Sequence, residues 1–172
     1  MSVMKVVYYP DDPLTQKADP VERFDKKLEE LVCNMLDTMH DYKGVGLAAP
    51  QIGLKKRLFV LQEEPEADEL YFINPVIEEM DGNEVGEEGC LSMPEIYGDV
   101  PRATYIRLTV QDLTGETFEM EAEGFLARII QHEYDHINGV MFPERLDIIT
   151  CQDKFHEWAK KRDRILAERQ ED

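Results

Sequence analysis

The stretch GFLARIIQHEYDHING, residues 124 to 139, reads as one helix with a defined start and stop. Gly124 punctuates the chain, the run from Phe125 to Asn138 holds no proline or glycine, and Gly139 stands at the C-terminal cap position. Within it, His132 and His136 are four residues apart. Their Cβ atoms then share one face at roughly 5 to 6 Å, and both imidazoles can grip one ion. Glu133 projects beside that ion, where its carboxylate can take a proton from an ion-activated water. Two of the four histidines in the chain fall into this spacing, which argues against an incidental pair on a surface helix.

Upstream, Phe24, Leu28, Leu31, Val32, Met35, Leu36 and Met39 recur at three- and four-residue steps and predict an amphipathic helix from about Asp25 to Tyr42. The runs Arg57 to Leu61 and Leu70 to Ile77 are short, rich in strand formers and bounded by turn residues. Ile106, Leu108 and Val110 alternate with polar residues. Thr114 and Gly115 then turn the chain into Phe118, Met120 and Ala122, so an antiparallel hairpin is expected. From about 147 to 169, Phe155, Trp158, Ala159, Arg162 and Leu166 share one side of a terminal helix. Strands lie between helices without βαβ alternation. The expected class is therefore α+β: a single compact domain, residues 1–172, of antiparallel strands around a central metal-binding helix, with a C-terminal helix.

A chain of 172 residues with 42% hydrophobic composition can build one core. Its 19 basic and 37 acidic residues give a net charge of −18, which opposes DNA or general nucleic-acid binding, because phosphate contacts need a basic face. No apolar run approaches the roughly 20 residues that span a bilayer. The start MSVMKVVYYPDDP lacks the features of a signal or transit peptide, so an unprocessed, cytoplasmic protein is expected, with no membrane partner. Cys33, Cys90 and Cys151 are odd in number and widely spaced, which fits free thiols in a reducing compartment.

A catalytic metal site needs a third protein ligand and one open position. The pattern H-E-x-x-H-x-x-G-x-x-H is obeyed as far as Gly139, but Phe142 stands where its last histidine would be. Glu157, from a later helix, is a conceivable third ligand, as in thermolysin-like sites, and is equally readable as an ordinary ion-pair residue. Cys90, in EEGCLS, would offer a soft thiolate, and is equally readable as a small buried hydrophobe. The glycine-rich GVGLAAPQIG is not a phosphate cradle, since it lacks the Gly-Lys-Ser/Thr ending and lies in an acidic chain.

GVGLAAPQIG (Gly44 to Gly53), EGCLS (Glu88 to Ser92) and QHEYDHINGVMF (Gln131 to Phe142) resemble, in order, the three signature blocks of the peptide deformylase family. PEIYGDVPR (Pro94 to Arg102) and the C-terminal helix extend the resemblance over nearly the whole chain, and the overall form is most like the Gram-negative bacterial type. The resemblance implies hydrolysis of the formyl group from N-formylmethionyl nascent peptides, with release of formate. It implies Cys90, His132 and His136 as ligands of one divalent metal ion, Fe2+ in the cell, with Zn2+, Ni2+ or Co2+ in purified samples. It further implies Glu133 as general base and acid, and an oxyanion site from the Gln51 amide and the Leu91 N–H. The substrate backbone is expected to add as a strand beside Val45 and Gly89, with Gly44 and Gly46 allowing its close approach. Docking of the C-terminal helix on the ribosome is also implied. That helix carries Lys154, Lys160, Lys161, Arg162, Arg164 and Arg169 on an otherwise acidic chain, although a solvated helix with internal ion pairs explains the same charges.

One departure stands out. Relatives line the methionine pocket with apolar residues; Phe125 and Ile129 fit, but Arg128 does not. Positions 125, 128, 129 and 132 share a helix face. Either the Arg128 head snorkels to the rim and pairs with a surface carboxylate, or it attracts acidic residues downstream of the formylmethionine, with Gly86 leaving it room. Asp135 is expected either to orient a liganding histidine or to pair with a surface arginine such as Arg102.

Overall fold

A computed structural model describes residues 2–171. In chain order, α1 (Lys26–Asp41) is followed by β1 (Gly46–Ala48), a 3-10 turn (Ala49–Ile52), β2 (Leu58–Leu61), β3 (Leu70–Asp81), β4 (Glu84–Cys90) and β5 (Met93–Arg102). Then come β6 (Tyr105–Gln111), β7 (Thr117–Glu123), α2 (Gly124–Ile137), a second 3-10 turn (Phe142–Arg145) and α3 (Ile148–Glu171). Five strands form one antiparallel sheet in the order β1-β2-β3-β6-β7, and β4 and β5 form a separate hairpin. The expected α+β class, the hairpin of residues 106–110 with 118–122, and the central and C-terminal helices are all present.

The burial of β2 shows how the layers are held. Leu58 and Val60 join α1 residues Leu28, Val32, Met35 and Met39, while Phe59 and Leu61 join α2 residues Ala127, Ile130 and Ile137. Both faces are covered, so the strand reads as a continuous apolar run. Each such aliphatic side chain contributes on the order of 1.5–3 kcal/mol of burial free energy. The Asp25 carboxylate caps α1 by accepting from the Leu28 N–H at 3.1 Å. Gly139 ends α2 at φ 77°, where a Cβ would stand 2.9 Å from the Thr15 carbonyl carbon. Packed between sheet and hairpin, α2 turns its aliphatic side to the sheet and its histidines toward β4.

Two expectations need correction. The segments 84–90 and 93–102 are strands, although sequence reading assigned them no secondary structure, and β3 runs on past Ile77 to Asp81. The sequences EVGEEGC and MPEIYGDVPR carry glycine, proline and buried charge in place of apolar alternation, so the usual strand signal is missing. On α3 the inner face holds Trp158 and Ile165, both nearly fully buried, and Ala159 is exposed. Those two pack on Tyr8, Met93, Ile96, Val100 and Phe142, tying the C-terminal helix to the hairpin. All three cysteines are free.

Candidate metal centre

The last residue of β4 is Cys90, and the face of α2 opposite the sheet carries His132 and His136. One donor atom from each lies within 4.8 Å of the others, and Cys90 Sγ stands 3.2 Å from His136 Nε2. Donors that share one ion at about 2.0–2.3 Å need to lie about this close. The Glu88 carboxylate accepts from His132 Nδ1–H at 2.8 Å. That fixes the tautomer and leaves Nε2 as the lone pair facing the site. Glu157 pairs with Lys161 Nζ at 3.2 Å on α3 and takes no part in the cluster.

Burial alone would hold both imidazoles neutral. For His132 the Cys90 thiol and the Glu88 carboxylate more than offset this and raise its pKa well above the usual histidine value. His136, buried and beside the His132 and Arg102 charges, is pushed well below it. The borderline-soft S, N, N donor set fits a divalent transition metal.

Glu133 is also buried, and burial lifts its carboxyl to a pKa of about 7. Its Oε1 has no hydrogen-bond partner among the described residues. The other oxygen sits against Gly46, where a Cβ would be 2.6 Å from Oε2. Gly46 therefore leaves room for Glu133, a reason beyond the substrate approach read from the sequence. Gln51 is held by the backbone three residues before it: the Ala48 N–H donates to Oε1 at 2.9 Å, which turns Nε2 toward Ser92 Oγ at 3.3 Å and Cys90 Sγ at 3.5 Å. The Ser92 N–H also reaches Cys90 Sγ at 3.4 Å. Ser92 thus supports the thiol, a role its sequence did not announce.

Gly46, Gln51, Glu88, Cys90, His132 and Glu133 line a cavity of about 510 Å³ together with Gly44, Val45, Gly89, Leu91, Tyr97, Phe125, Arg128 and Ile129. All candidate site residues read from the sequence except His136 border it, and His136 joins through the ligand cluster. β1 lies at the edge of its sheet and β4 pairs only with β5, so each leaves one backbone edge unpaired.

Arg128 differs from expectation, and Asp135 takes one of its two expected roles. The Arg128 head does not snorkel to a surface carboxylate: Nη1 donates to buried Glu88 at 2.7 Å. Its guanidinium is thereby turned toward β4 and β5 and not out over the rim. Asp135 makes no hydrogen bond to His132 or His136 among the described residues. It binds Arg102 and, through both oxygens, Arg145, and Arg102 is buried, not superficial. The orienting carboxylate is Glu88, held by Arg102 below the usual glutamate range even though burial pushes the other way.

The family model described as Polypeptide deformylase matches residues 3–151. A peptide deformylase of Chromobacterium violaceum is 48% identical over 153 residues, covering 88% of this chain and 92% of the relative. Peptide deformylase 1 of Bacillus subtilis is 45% identical over 154 residues, covering 90% and 96%. The crystal structure of peptide deformylase from Thermus thermophilus superposes with a TM-score of 0.89 at 42% identity, covering 96% of this chain and 99% of that one.

Proposed function

Because this chain belongs to the peptide deformylase family and so hydrolyses the formamide of N-formylmethionyl nascent peptides, we propose that Cys90, His132 and His136 hold its metal and that Glu133 carries the proton. The observation that carries the reading is the convergence of these three donors beside a buried carboxylate with an unpartnered oxygen.

A divalent cation held there would supply a Lewis acid that polarises the formyl carbonyl and acidifies a neighbouring water. Glu133 takes a proton from that water at Oε1, and the water oxygen adds to the formyl carbon. The negative charge that develops on the formyl oxygen is met by donors fixed in advance, Gln51 Nε2–H and the Leu91 N–H. Glu133 then delivers its proton to the amide nitrogen, the C–N bond breaks, and formate and a free amino terminus leave. A carboxyl with a pKa near 7 can both accept and return a proton at neutral pH.

The substrate backbone is read as a strand inserted between the open edges beside Val45, Gly46 and Gly89, with its first side chain against Phe125, Arg128 and Ile129. The metal is assigned as Fe2+ in the cell, with Zn2+, Ni2+ or Co2+ able to occupy the same donors after purification. A single cytoplasmic domain over residues 1–172, acting on chains as they leave the ribosome, completes the reading. Among the described residues no helix is long and apolar enough to cross a membrane, and the charge of −18 opposes DNA. Ribosome docking would fall chiefly to Lys154 and Lys160. They carry no ion pair among the described residues, whereas Lys161, Arg162 and Arg164 are paired to Glu157, Asp11, Glu95 and Glu168.

Anaerobic purification, metal analysis and an assay of formate release from a formyl-Met peptide test the proposal directly. Cys90→Ala should lose both metal and activity. Full metal occupancy after that substitution would exclude this ligand set.

A further inference from the structure

Arg128 lines the main cavity beside Phe125, Ile129 and His132, yet its side chain is only 12% exposed. A charge so far from water needs its donors satisfied. Nη1 donates to Glu88 Oε2 at 2.7 Å and to Val100 O at 2.9 Å, and Nη2 donates to Glu84 O at 2.6 Å. Those acceptors lie on β4 and β5, so one side chain of α2 fastens the helix to the hairpin. The room for it comes from Gly86. A Cβ there would stand 2.9 Å from Arg128 Cζ and 3.1 Å from Nε and Nη2. A flexible side-chain end ordinarily swings away from such a contact, but here swinging would abandon every one of these bonds.

Glu88 carries the effect onward. Its Oε2 accepts from Arg128 and from Arg102 Nε at 2.9 Å, and its Oε1 accepts from Arg102 Nη2 at 2.9 Å and His132 Nδ1 at 2.8 Å. These donors fill the roughly four lone-pair sites of one carboxylate. It cannot turn unless several of them yield.

We infer that Arg128, seated on Gly86, is at once the wall that selects the substrate's first side chain and, through Glu88, the positioning residue that sets the ring of His132. The inference rests on the deformylase reading and deepens it. One group then holds both the shape of the pocket and the attitude of a metal ligand.

The test compares the metal-loaded parent with Arg128→Leu, Gly86→Leu and the double variant. Formyl peptides differing only in the first residue (methionine, norleucine, alanine, phenylalanine) are hydrolysed, and bound metal is followed during exposure to a chelator. Gly86→Leu should push the guanidinium off its acceptors, lowering kcat/KM on formyl-Met by about tenfold or more, largely through KM, and hastening metal loss. Arg128→Leu should open the wall, shrinking the preference for methionine over alanine and phenylalanine by about threefold or more, again with faster metal loss. In the double variant, leucine at 86 refills the wall. Selectivity should return to within about threefold of the parent, better than the product of the two single effects, while metal loss stays fast because Glu88 still lacks a donor. A merely structural role would not separate these two readouts.

The inference is overturned if the single variants keep selectivity and chelator half-life within about twofold of the parent, or if the double variant is no more selective than the singles multiplied. Where the leucine variants do not fold, Gly86→Ala makes the same 2.9 Å contact with one methyl group and must lower kcat/KM on formyl-Met and hasten metal loss, as given for Gly86→Leu. A parent that releases no formate from formyl-Met peptide sinks the deformylase reading itself. An active parent with unresponsive variants sinks only the pairing.

Discussion

Replacing Gly46 by alanine adds one methyl group to the strand edge that faces the cavity, and the added carbon meets Glu133. Its ideal position lies 2.6 Å from Oε2, 3.0 Å from Cδ and 3.1 Å from Cγ. Carbon–oxygen contacts settle at roughly 3.3 Å or more, so the carboxylate must retreat by about 0.7 Å. The backbone raises no objection, because Gly46 does not have a positive φ. Glu133 is buried on a helix packed against the sheet, so it has little space in which to retreat without moving Oε1 relative to the reacting atoms. Active sites require geometry held to about 0.5 Å, and a 1 Å misplacement can cost on the order of 100-fold. A fall in kcat of about 30- to 300-fold is expected, bounded above by the roughly 10,000-fold that a general base contributes. Metal content should be unchanged, since no ligand is touched. Gly44→Ala separates the causes: its Cβ would meet Leu91 Cδ1 at 3.0 Å and not Glu133, so any loss there should fall on KM through substrate approach and not on kcat. The assay is formate release under saturating formyl-Met peptide, with metal analysis and thermal unfolding on the same samples. A Gly46→Ala enzyme within about threefold of the parent in kcat would refute the claim that this glycine exists to seat Glu133.

Three further outcomes follow from the same geometry. Glu133→Ala should keep the metal and lose about 100- to 10,000-fold in hydrolysis; activity close to that of the parent would remove Glu133 as proton carrier. Arg102→Met leaves buried Glu88 and Asp135 without their shared cation and should cost about 3–5 kcal/mol in urea unfolding, a loss under about 1 kcal/mol counting against the network. Glu88 is held below the ordinary glutamate range in the folded chain, so its contribution to stability is complete above about pH 5 and is lost as pH falls toward the folded value. Glu88→Gln should therefore flatten the acid side of the stability profile, and an unchanged slope between about pH 5 and pH 3 would contradict the assignment.

The parts of the fold that were legible in the sequence are those whose burial follows a period. The spacing of Leu28, Val32, Met35 and Met39 matches the face that α1 buries, and the alternation at Ile106, Leu108 and Val110 matches the inner face of β6. β4 was illegible because its pattern records other duties. Gly86 and Gly89 make room for Arg128 and Tyr97, and the one buried residue of the strand, Glu88, faces inward to take guanidinium donors. A strand that spends its positions on a site loses the periodicity by which strands are recognised.

The same reasoning explains which site residues the sequence yielded. His132, Glu133 and His136 stand within one helical turn or so, so local spacing alone places them together. Glu88 lies 44 residues from His132 in the chain and is one of 37 acidic residues, with no local mark to separate it from those that merely solvate the surface. What distinguishes it is the company it keeps in space: two arginines and an imidazole from β5 and α2, gathered only after the hairpin folds back onto the helix. Asp135 illustrates the converse. Its position next to His136 in the sequence left open a role beside that histidine or a pair with Arg102, and spacing alone could not choose; its carboxylate turns to Arg102 and Arg145. Residues supplied by one regular element can thus be read from spacing. The carboxylate that sets the ligand's orientation depends on the tertiary fold, and so does the arginine that reaches from the pocket to that carboxylate.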